Sequence, residues 1–350
     1  MKFGKTRTTD ASGHLLAHKV EAGGQRFAKG HRLESQDLSV LLAAGIEEIT
    51  TASLGADDVD ENAAAAEVAQ LLIDGAKTPP SIHLETARTG RVNLFARHHG
   101  LFAIDIERVN RLNAIDEAIT VATLSPFAKV KPGDMVATIK IIAFAVSKAS
   151  LEAAQQTCQR STDLATLKIW PFSPKCAHFI LTGFHGEISQ GLMEKRNAKA
   201  LTVTENRLNA LGSELVGHQI CRHDEAAVGH SIKQFAGQTD LILLLGASAT
   251  ADRADVLPRA VVACGGEIHH FGMPVDPGNL LAIGAIGQTH VVILPGCARS
   301  PQLNGFDWVL ERLCAGLPIS KKDIQEMGVG GLLKEIANRP TPRRNQPREN

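Results

Sequence analysis

The sequence predicts an α/β protein whose second half forms a mostly parallel, doubly wound sheet covered by helices, preceded by an α+β domain. Three observations carry this. From residue 177 onward, short apolar runs alternate with helix-patterned stretches, and such alternation implies parallel strands joined by crossover helices. The run Leu241-Ile-Leu-Leu-Leu245 is apolar without interruption, as expected of a strand with both faces covered. It ends at Gly246 in a loop of small residues and then a helix start at Asp255. There the first N–H groups and the positive end of the helix dipole favour an anion.

The first half changes character often. Leu33, Leu38, Leu41 and Leu42 give helical spacing over Arg32 to Ala44, closed by Gly45, and Ile46 to Thr51 alternates as a strand. The acids of Asp57 to Glu61 open an Ala-rich helix that runs to Leu72 and is ended by Gly75 to Pro80. Short strands follow at Arg91–Phe95, Gly100–Ile104, Ala118–Ala122 and Met135–Phe144, the last announced by the turn Lys131-Pro-Gly-Asp134. A helix is expected from Ser150 to Arg160, then a polar stretch through Thr166. The prolines of Trp170-Pro-Phe-Ser-Pro174 mark a domain boundary.

In the second half, strands are expected at Ala177–Thr182, Glu214–Cys221, Leu241–Leu245, His269–Gly272, Ile283–Gly287 and Thr289–Leu294. Helices are expected at Ala198–Leu211, His223–Phe235, Leu257–Cys264 and Asn304–Cys314. The organisation is thus an accessory α+β domain over 1–170, an α/β domain over 175–320 and a disordered tail over 338–350, rich in Arg, Pro and Asn.

Composition narrows the functions. Lys+Arg and Asp+Glu both number 37, and aromatics are 4% with no Tyr, so there is neither a basic field nor a set of stacking platforms for nucleic acid. The longest apolar run, Met135 to Val146, is broken by Lys140 and too short for a bilayer, which leads us to expect no membrane association and a cytoplasmic protein. The six cysteines are scattered without a C-x-x-C pair, and they read as reduced core residues. Adjacent histidines, His98-His99 and His269-His270, point to opposite faces of a strand and do not suit one metal. No metal site is expected on these residues.

Ligands of open α/β sheets lie at the carboxyl ends of the strands. Thr182-Gly183, Gly246 to Asp255, Asp276-Pro-Gly-Asn279 and Leu294 to Ser300 all fall at predicted strand ends or the loops after them. Together they outline one pocket. Main-chain N–H groups there form an anion nest, Ser248 and Ser300 offer hydroxyls, and Arg299 offers a planar fork for phosphate or carboxylate. Asp252 and Asp255 suit either Mg²⁺ or the N–H donors of a heterocycle, and Asp252 with Arg253 reads equally as a surface ion pair and helix cap. Neither G-x-G-x-x-G nor G-x-x-x-x-G-K-[ST] occurs at a strand-to-helix junction.

The segments Gly246 to Ala260, Gly272-Met-Pro-Val-Asp-Pro-Gly-Asn279 and Leu294-Pro-Gly-Cys-Ala-Arg-Ser-Pro301 resemble the molybdopterin-binding domain of molybdenum-cofactor biosynthesis proteins, over roughly residues 175 to 320. The likeness is greatest to the molybdopterin-binding half of cytidylyltransferase fusion proteins, with adenylyltransferases and molybdenum insertases as relatives. It implies a three-layer α/β domain whose loop and following acid hold the pterin phosphate and ring. On this sequence the positions that match the family's motifs are Thr182, Gly183, Gly246, Ala247, Ser248, Pro277, Gly278, Asn279, Pro295 and Gly296, with Asp255 in the catalytic position, and Asp252, Arg299 and Ser300 join the candidate ligand-binding set from their place at the strand ends. Ala247 and Ala251 stand where the family usually has Gly, and Cys297-Ala298-Arg299 replaces its Asn-Pro-x. A left-handed backbone at either alanine would be costly. No cytidylyltransferase loop occurs.

The resemblance implies a protein that binds molybdopterin or its nucleotide form in cofactor biosynthesis, as carrier or insertion factor. It equally allows an active adenylyltransferase or insertase using Mg²⁺, or a non-enzymatic assembly partner of molybdoenzymes. A homo-oligomer is expected by the same likeness, as are a separate cytidylyltransferase or a molybdoenzyme as partners.

Overall fold

The computed structural model describes residues 1–73, 81–159, 165–184 and 192–333, with the backbone alone at 192–196. The expected helix stop at Gly75 to Pro80 and the tail over 338–350 lie outside the described residues. The chain is a mixed α/β structure in two compact units, Met1–Pro171 and Phe172–Asn350.

In the first unit, β1 (Lys2–Arg7), β2 (Leu15–Leu16), β3 (Val20–Ala22), β4 (Gln25–Phe27) and α1 (Ser35–Ala43) precede β5 (Glu48–Ser53), which lies between β1 and β2. β6 (Asp58–Asp60) leads directly into α2 (Glu61–Ile73). The acidic run therefore divides: the helix begins at Glu61, not Asp57, because the Asp60 carboxylate accepts the N–H groups of Asn62 and Ala63 at 3.0 and 3.2 Å. Next come β7 (Ile82–Leu84), β8 (Arg91–Ala96), β9 (Gly100–Ile104), α3 (Ile106–Asn113), β10 (Ile119–Thr123), β11 (Lys129–Val130), β12 (Met135–Ile141), β13 (Ala145–Ser147), α4 (Lys148–Cys158) and β14 (Leu167–Pro171). Among the described residues all strand pairs in this unit are antiparallel.

Several elements here escaped the sequence pattern, β1, α3 and β14 among them. β1 is mostly exposed and lysine-rich. α3 buries little beyond Val109 and Leu112, and Asp105 caps it by accepting the Arg108 N–H at 2.9 Å. β14 ends in the proline that suggested a boundary, and it still pairs with β9 because Pro171 stands at its last position. β12 stops at Ile141, three residues short of expectation, and the chain turns so that β13 pairs with β6.

The second unit is built on one sheet. Its elements are β15 (Cys176–Gly183), α5 (Leu192–Asn209), β16 (Glu214–Arg222), α6 (Glu225–Phe235), β17 (Leu241–Leu245), α7 (Val256–Ala263), β18 (Glu267–Phe271), β19 (Ala282–Ile286), β20 (Thr289–Leu294), α8 (Gly305–Cys314) and α9 (Lys321–Glu326). The strand order is β16-β15-β17-β20-β19-β18. β16, β15, β17 and β20 run parallel, and β19 is antiparallel to both of its neighbours.

Alternation along the strands divides their apolar side chains between two clusters. Phe179, Leu181, Leu243 and Val292 pack with Ala200 and Leu208 of α5 and with Val309, Leu310 and Leu313 of α8. Ile180, Ile242, Leu244 and Val291 pack with Val228 and Ile232 of α6 and with Leu257, Ala260 and Val261 of α7. All five residues of β17 are buried. This explains the unbroken apolar run: a central strand meets hydrophobic neighbours on both sides, and each buried leucine contributes about 1.5–3 kcal/mol.

Candidate functional site

Parallel pairing puts the carboxyl ends of β15, β16, β17 and β20 on one edge of the sheet. Two successive antiparallel steps, β20 to β19 and β19 to β18, return the chain direction, so the end of β18 joins them. The sequence-predicted segments at 182–183, 246–255, 276–279 and 294–300 therefore share that edge.

Thr182 is the hub. Its side chain is 2% exposed, and its Oγ1 accepts the Ala247 N–H at 2.9 Å. The same Oγ1 lies 2.7 Å from His223 Nδ1, and His223 Nε2 lies 3.3 Å from Ser248 Oγ. His223 enters the site because it follows the last residue of β16, where its N–H donates to Gly183 O at 3.0 Å. The sequence pattern places His223 at the start of a helix and gives it no role in the site. The helix begins at Glu225, capped by Asp224, which leaves His223 at the strand end. Burial pushes the His223 imidazole below its ordinary value, against the opposing charges of Asp255 and Asp224.

The loop after β17 starts at Gly246, where a Cβ would lie 2.5 Å from Ser248 O, so only glycine fits the fold of the loop back on itself. The alanines at 247 and 251 carry no strain. Among the described residues only Thr89 and Phe127 are non-glycine positions with positive φ. The cost expected for a left-handed backbone at Ala247 or Ala251 does not arise.

Asp255 is the N-cap of α7. Its Oδ1 accepts the Val256 N–H at 2.7 Å and its Oδ2 the Ala251 N–H at 3.1 Å, so one carboxylate holds both the helix start and the loop before it. Asp252 closes a smaller turn through the Ala254 N–H at 2.7 Å, while Arg253 donates to Ile268 O at 2.9 Å. Between these anchors, the N–H groups of Ser248, Ala249 and Thr250 donate no hydrogen bond among the described residues. Ser248 and Ala249 are exposed.

Arg299 spans two loops: its Nη2 donates to Gly246 O at 2.8 Å. The turn that carries it, Gly296–Arg299, is a single 3₁₀ turn after β20, in which the Ala298 N–H donates to Pro295 O at 2.9 Å. That turn is fixed from α5. Arg207, a second residue the sequence did not single out, donates from Nη1 to Ala298 O and from Nη2 to Ser300 O, each at 2.7 Å. Ser300 Oγ accepts the Gln302 N–H at 3.4 Å.

Pro277, Gly278 and Asn279 share the edge, but their bonds go elsewhere. Pro277 O accepts the Gly305 N–H at 2.9 Å, and Asn279 O accepts the Met273 N–H at 2.9 Å. Gly278 has φ 140°, and a Cβ there would lie 2.6 Å from Gly305 N, so this segment seats the start of α8.

All six cysteines are free, and burial pushes the Cys297 thiol up, away from nucleophilic use. Among the described residues no group of three or more His, Cys, Asp and Glu side chains is placed to hold a metal ion, and no helix is long and apolar enough to cross a membrane.

Residues 5–53 match a domain family described as a domain of unknown function, DUF8806. The chain matches no curated protein. Among solved structures it is similar to a molybdenum cofactor biosynthesis protein from Pyrococcus furiosus, at 12% identity over 91% of this chain and 66% of that one, with TM-score 0.24. It is also similar to a molybdopterin biosynthesis MoeA protein from Pyrococcus horikosii, at 17% identity over 74% of this chain and 79% of that one, with TM-score 0.32. A third similarity is to the molybdopterin biosynthesis enzyme MoaB from Thermus thermophilus, at 16% identity over 41% of this chain and 98% of that one, with TM-score 0.29.

Proposed function

We propose that the second unit is a three-layer, doubly wound domain that binds molybdopterin or a nucleotide derivative, and that the chain acts in molybdenum-cofactor biosynthesis as a carrier or insertion factor. The observation that supports it most is the loop after β17. There, three consecutive N–H groups, Ser248 to Thr250, have no partner among the described residues, beside the Ser248 hydroxyl and the anchored Asp255 carboxylate. Such a row of N–H groups takes a phosphate, and the lone pairs left on the Asp255 oxygens suit the N–H donors of a pterin ring. Thr182, Gly183, Gly246 and Ala247 form the floor, and Arg299 braces it.

Mg²⁺ fits this site poorly. One oxygen of Asp255 already caps α7 and the other holds the loop, and no third carboxylate or imidazole gathers with Asp255 and Asp252 among the described residues. We therefore prefer binding over adenylate transfer or metal-assisted insertion. Self-association, and delivery to a cytidylyltransferase or a molybdoenzyme, remain part of the proposal.

Titrating purified molybdopterin against the full chain at micromolar protein, followed by pterin fluorescence, tests the reading. Saturable binding that weakens about tenfold in Asp255→Ala supports it. Absence of any fluorescence change or protection against unfolding removes it.

A further inference from the structure

The hydrogens of the Thr182, His223 and Ser248 cluster can be assigned by satisfying the buried groups. The Thr182 hydroxyl receives the Ala247 N–H at 2.9 Å and must place its own hydrogen. Its one acceptor among the described residues is His223 Nδ1, at 2.7 Å. A buried hydroxyl hydrogen left without an acceptor is strongly disfavoured. Nδ1 is therefore an acceptor, and the neutral ring carries its proton on Nε2. Nε2–H then donates to Ser248 Oγ at 3.3 Å, which leaves the Ser248 hydroxyl hydrogen directed out of the cluster, where the residue is exposed. The direction of donation runs from Ala247 N–H through Thr182 and separately from His223 through Ser248 outward. Every group this cluster presents at the rim is a donor.

We propose that His223 is a ligand-binding residue: its Nε2–H, shared between Ser248 Oγ and the ligand across the long 3.3 Å contact, and the Ser248 hydroxyl, with the N–H groups of Ser248 to Thr250, take a dianionic oxyanion of the phosphate monoester class, and Thr182 fixes the imidazole in the donating tautomer. This rests on the phosphate cradle proposed above and adds to it a neutral donor whose strength does not depend on protonation. The charged groups that act on the ring are Asp255, at the start of α7, and Asp224, next to it in the chain. Both would favour an imidazolium. Burial of the ring and the acceptor role of Nδ1 oppose it.

The test begins with the unliganded full chain. Nitrogen-15 NMR of the His223 ring is expected to show Nδ1 unprotonated and Nε2 protonated across about pH 6 to 8, the range in which a free imidazole titrates. Sulfate keeps a fixed charge over that range and serves as the probe, with inorganic phosphate as the second. Sulfate is expected to shift the Nε2–H resonance, with an affinity that changes less than about twofold over the range. His223→Phe should lower that affinity about tenfold, and His223→Gln, which keeps a neutral N–H donor, should restore most of it. Thr182→Val frees the tautomer, so sulfate affinity should then rise on acidification.

A ring protonated on Nδ1, a sulfate titration that leaves His223 unmoved, or a wild-type affinity rising about tenfold between pH 8 and pH 6, as an imidazolium site requires, would each overturn the proposal. The ring spectrum needs no variant to fold. If sulfate engages His223 while molybdopterin does not bind, this inference stands and the pterin reading falls. If molybdopterin binds and the His223 resonances stay fixed, the reverse holds.

Discussion

Arg207 Nε and Asp307 Oδ1 lie 2.6 Å apart, with the two side chains 9% and 14% exposed, and this pair ties α5 to the first turn of α8. Each partner carries a second duty. The Arg207 guanidinium also holds Ala298 O, Ser300 O and Gln302 O, and Asp307 accepts the Asn304 N–H at 2.8 Å in the capping box of α8. One guanidinium thus sets the position of the whole turn that presents Arg299.

Arg207→Met should destabilise the second unit by about 3–5 kcal/mol, because it leaves a mostly buried carboxylate and several carbonyls without their partner. Asp307→Asn should cost less, since the amide still caps. Urea unfolding of the two variants and the double mutant measures the difference, and a loss under about 1 kcal/mol for Arg207→Met would contradict that bracing role.

Asp255 joins loop and helix, so its variants should separate the two roles. Asp255→Asn keeps one acceptor and is expected to lose about 0.5 kcal/mol or less as a cap. Asp255→Ala should lose about 1 kcal/mol and release the Ala251 N–H. Amide hydrogen exchange at Ala251 and Val256 reads this out: both amides should exchange faster in Asp255→Ala, and unchanged protection would refute the cap.

Gly278→Ala tests the seat of α8. Positive φ strains the alanine, and its Cβ would collide with the Gly305 main chain. A loss of about 2 kcal/mol or more is expected from strain and displacement together. Gly237→Ala has positive φ but open space around it and should cost about 1 kcal/mol. Thermal unfolding of the pair distinguishes collision from backbone strain.

Stability should fall on mild acidification. Burial holds His178, His270 and His290 below their ordinary value of 6.5 in the folded chain. The unfolded chain takes up protons first, so the contribution is complete above pH 6.5 and is lost as pH falls from that value through the lower folded values. Urea midpoints should therefore drop between about pH 7.5 and pH 5.5. His178 stacks on Phe235 at 3.7 Å between centroids, and its Nδ1 is buried without a partner among the described residues. His178→Phe should keep the stack and reduce the slope, and a slope equal to wild type would remove His178 from the account.

The second unit was more legible in sequence than the first for a physical reason. A buried parallel sheet writes long apolar runs between helices, and β17 and β20 begin and end where the pattern puts them. In the first unit, short antiparallel strands with one exposed face leave weak marks, as the exposed β1 and the narrow stripe of α3 illustrate. At the site, Gly246, Thr182 and Asp255 were readable because a strand end, a glycine and a cap have local signatures. His223 and Arg207 were not, because each acts across the fold on a residue far away in sequence: His223 on Thr182, and Arg207 on Ser300. The role of Asp252 was read too broadly. It closes its own turn.

The four segments on the candidate site's edge come from positions as far apart as Thr182 and Ser300, and they meet through neighbouring strands of one sheet. No contiguous fragment ending before β20 contains the rim. A chain cut before β20 would keep the Ser248 to Thr250 amides and lose the Arg299 brace on Gly246 O, so full affinity should arrive only when the last parallel pair closes. Ligand added during refolding would then trap finished molecules without hastening their formation, which makes the bound fraction a clock for completed assembly.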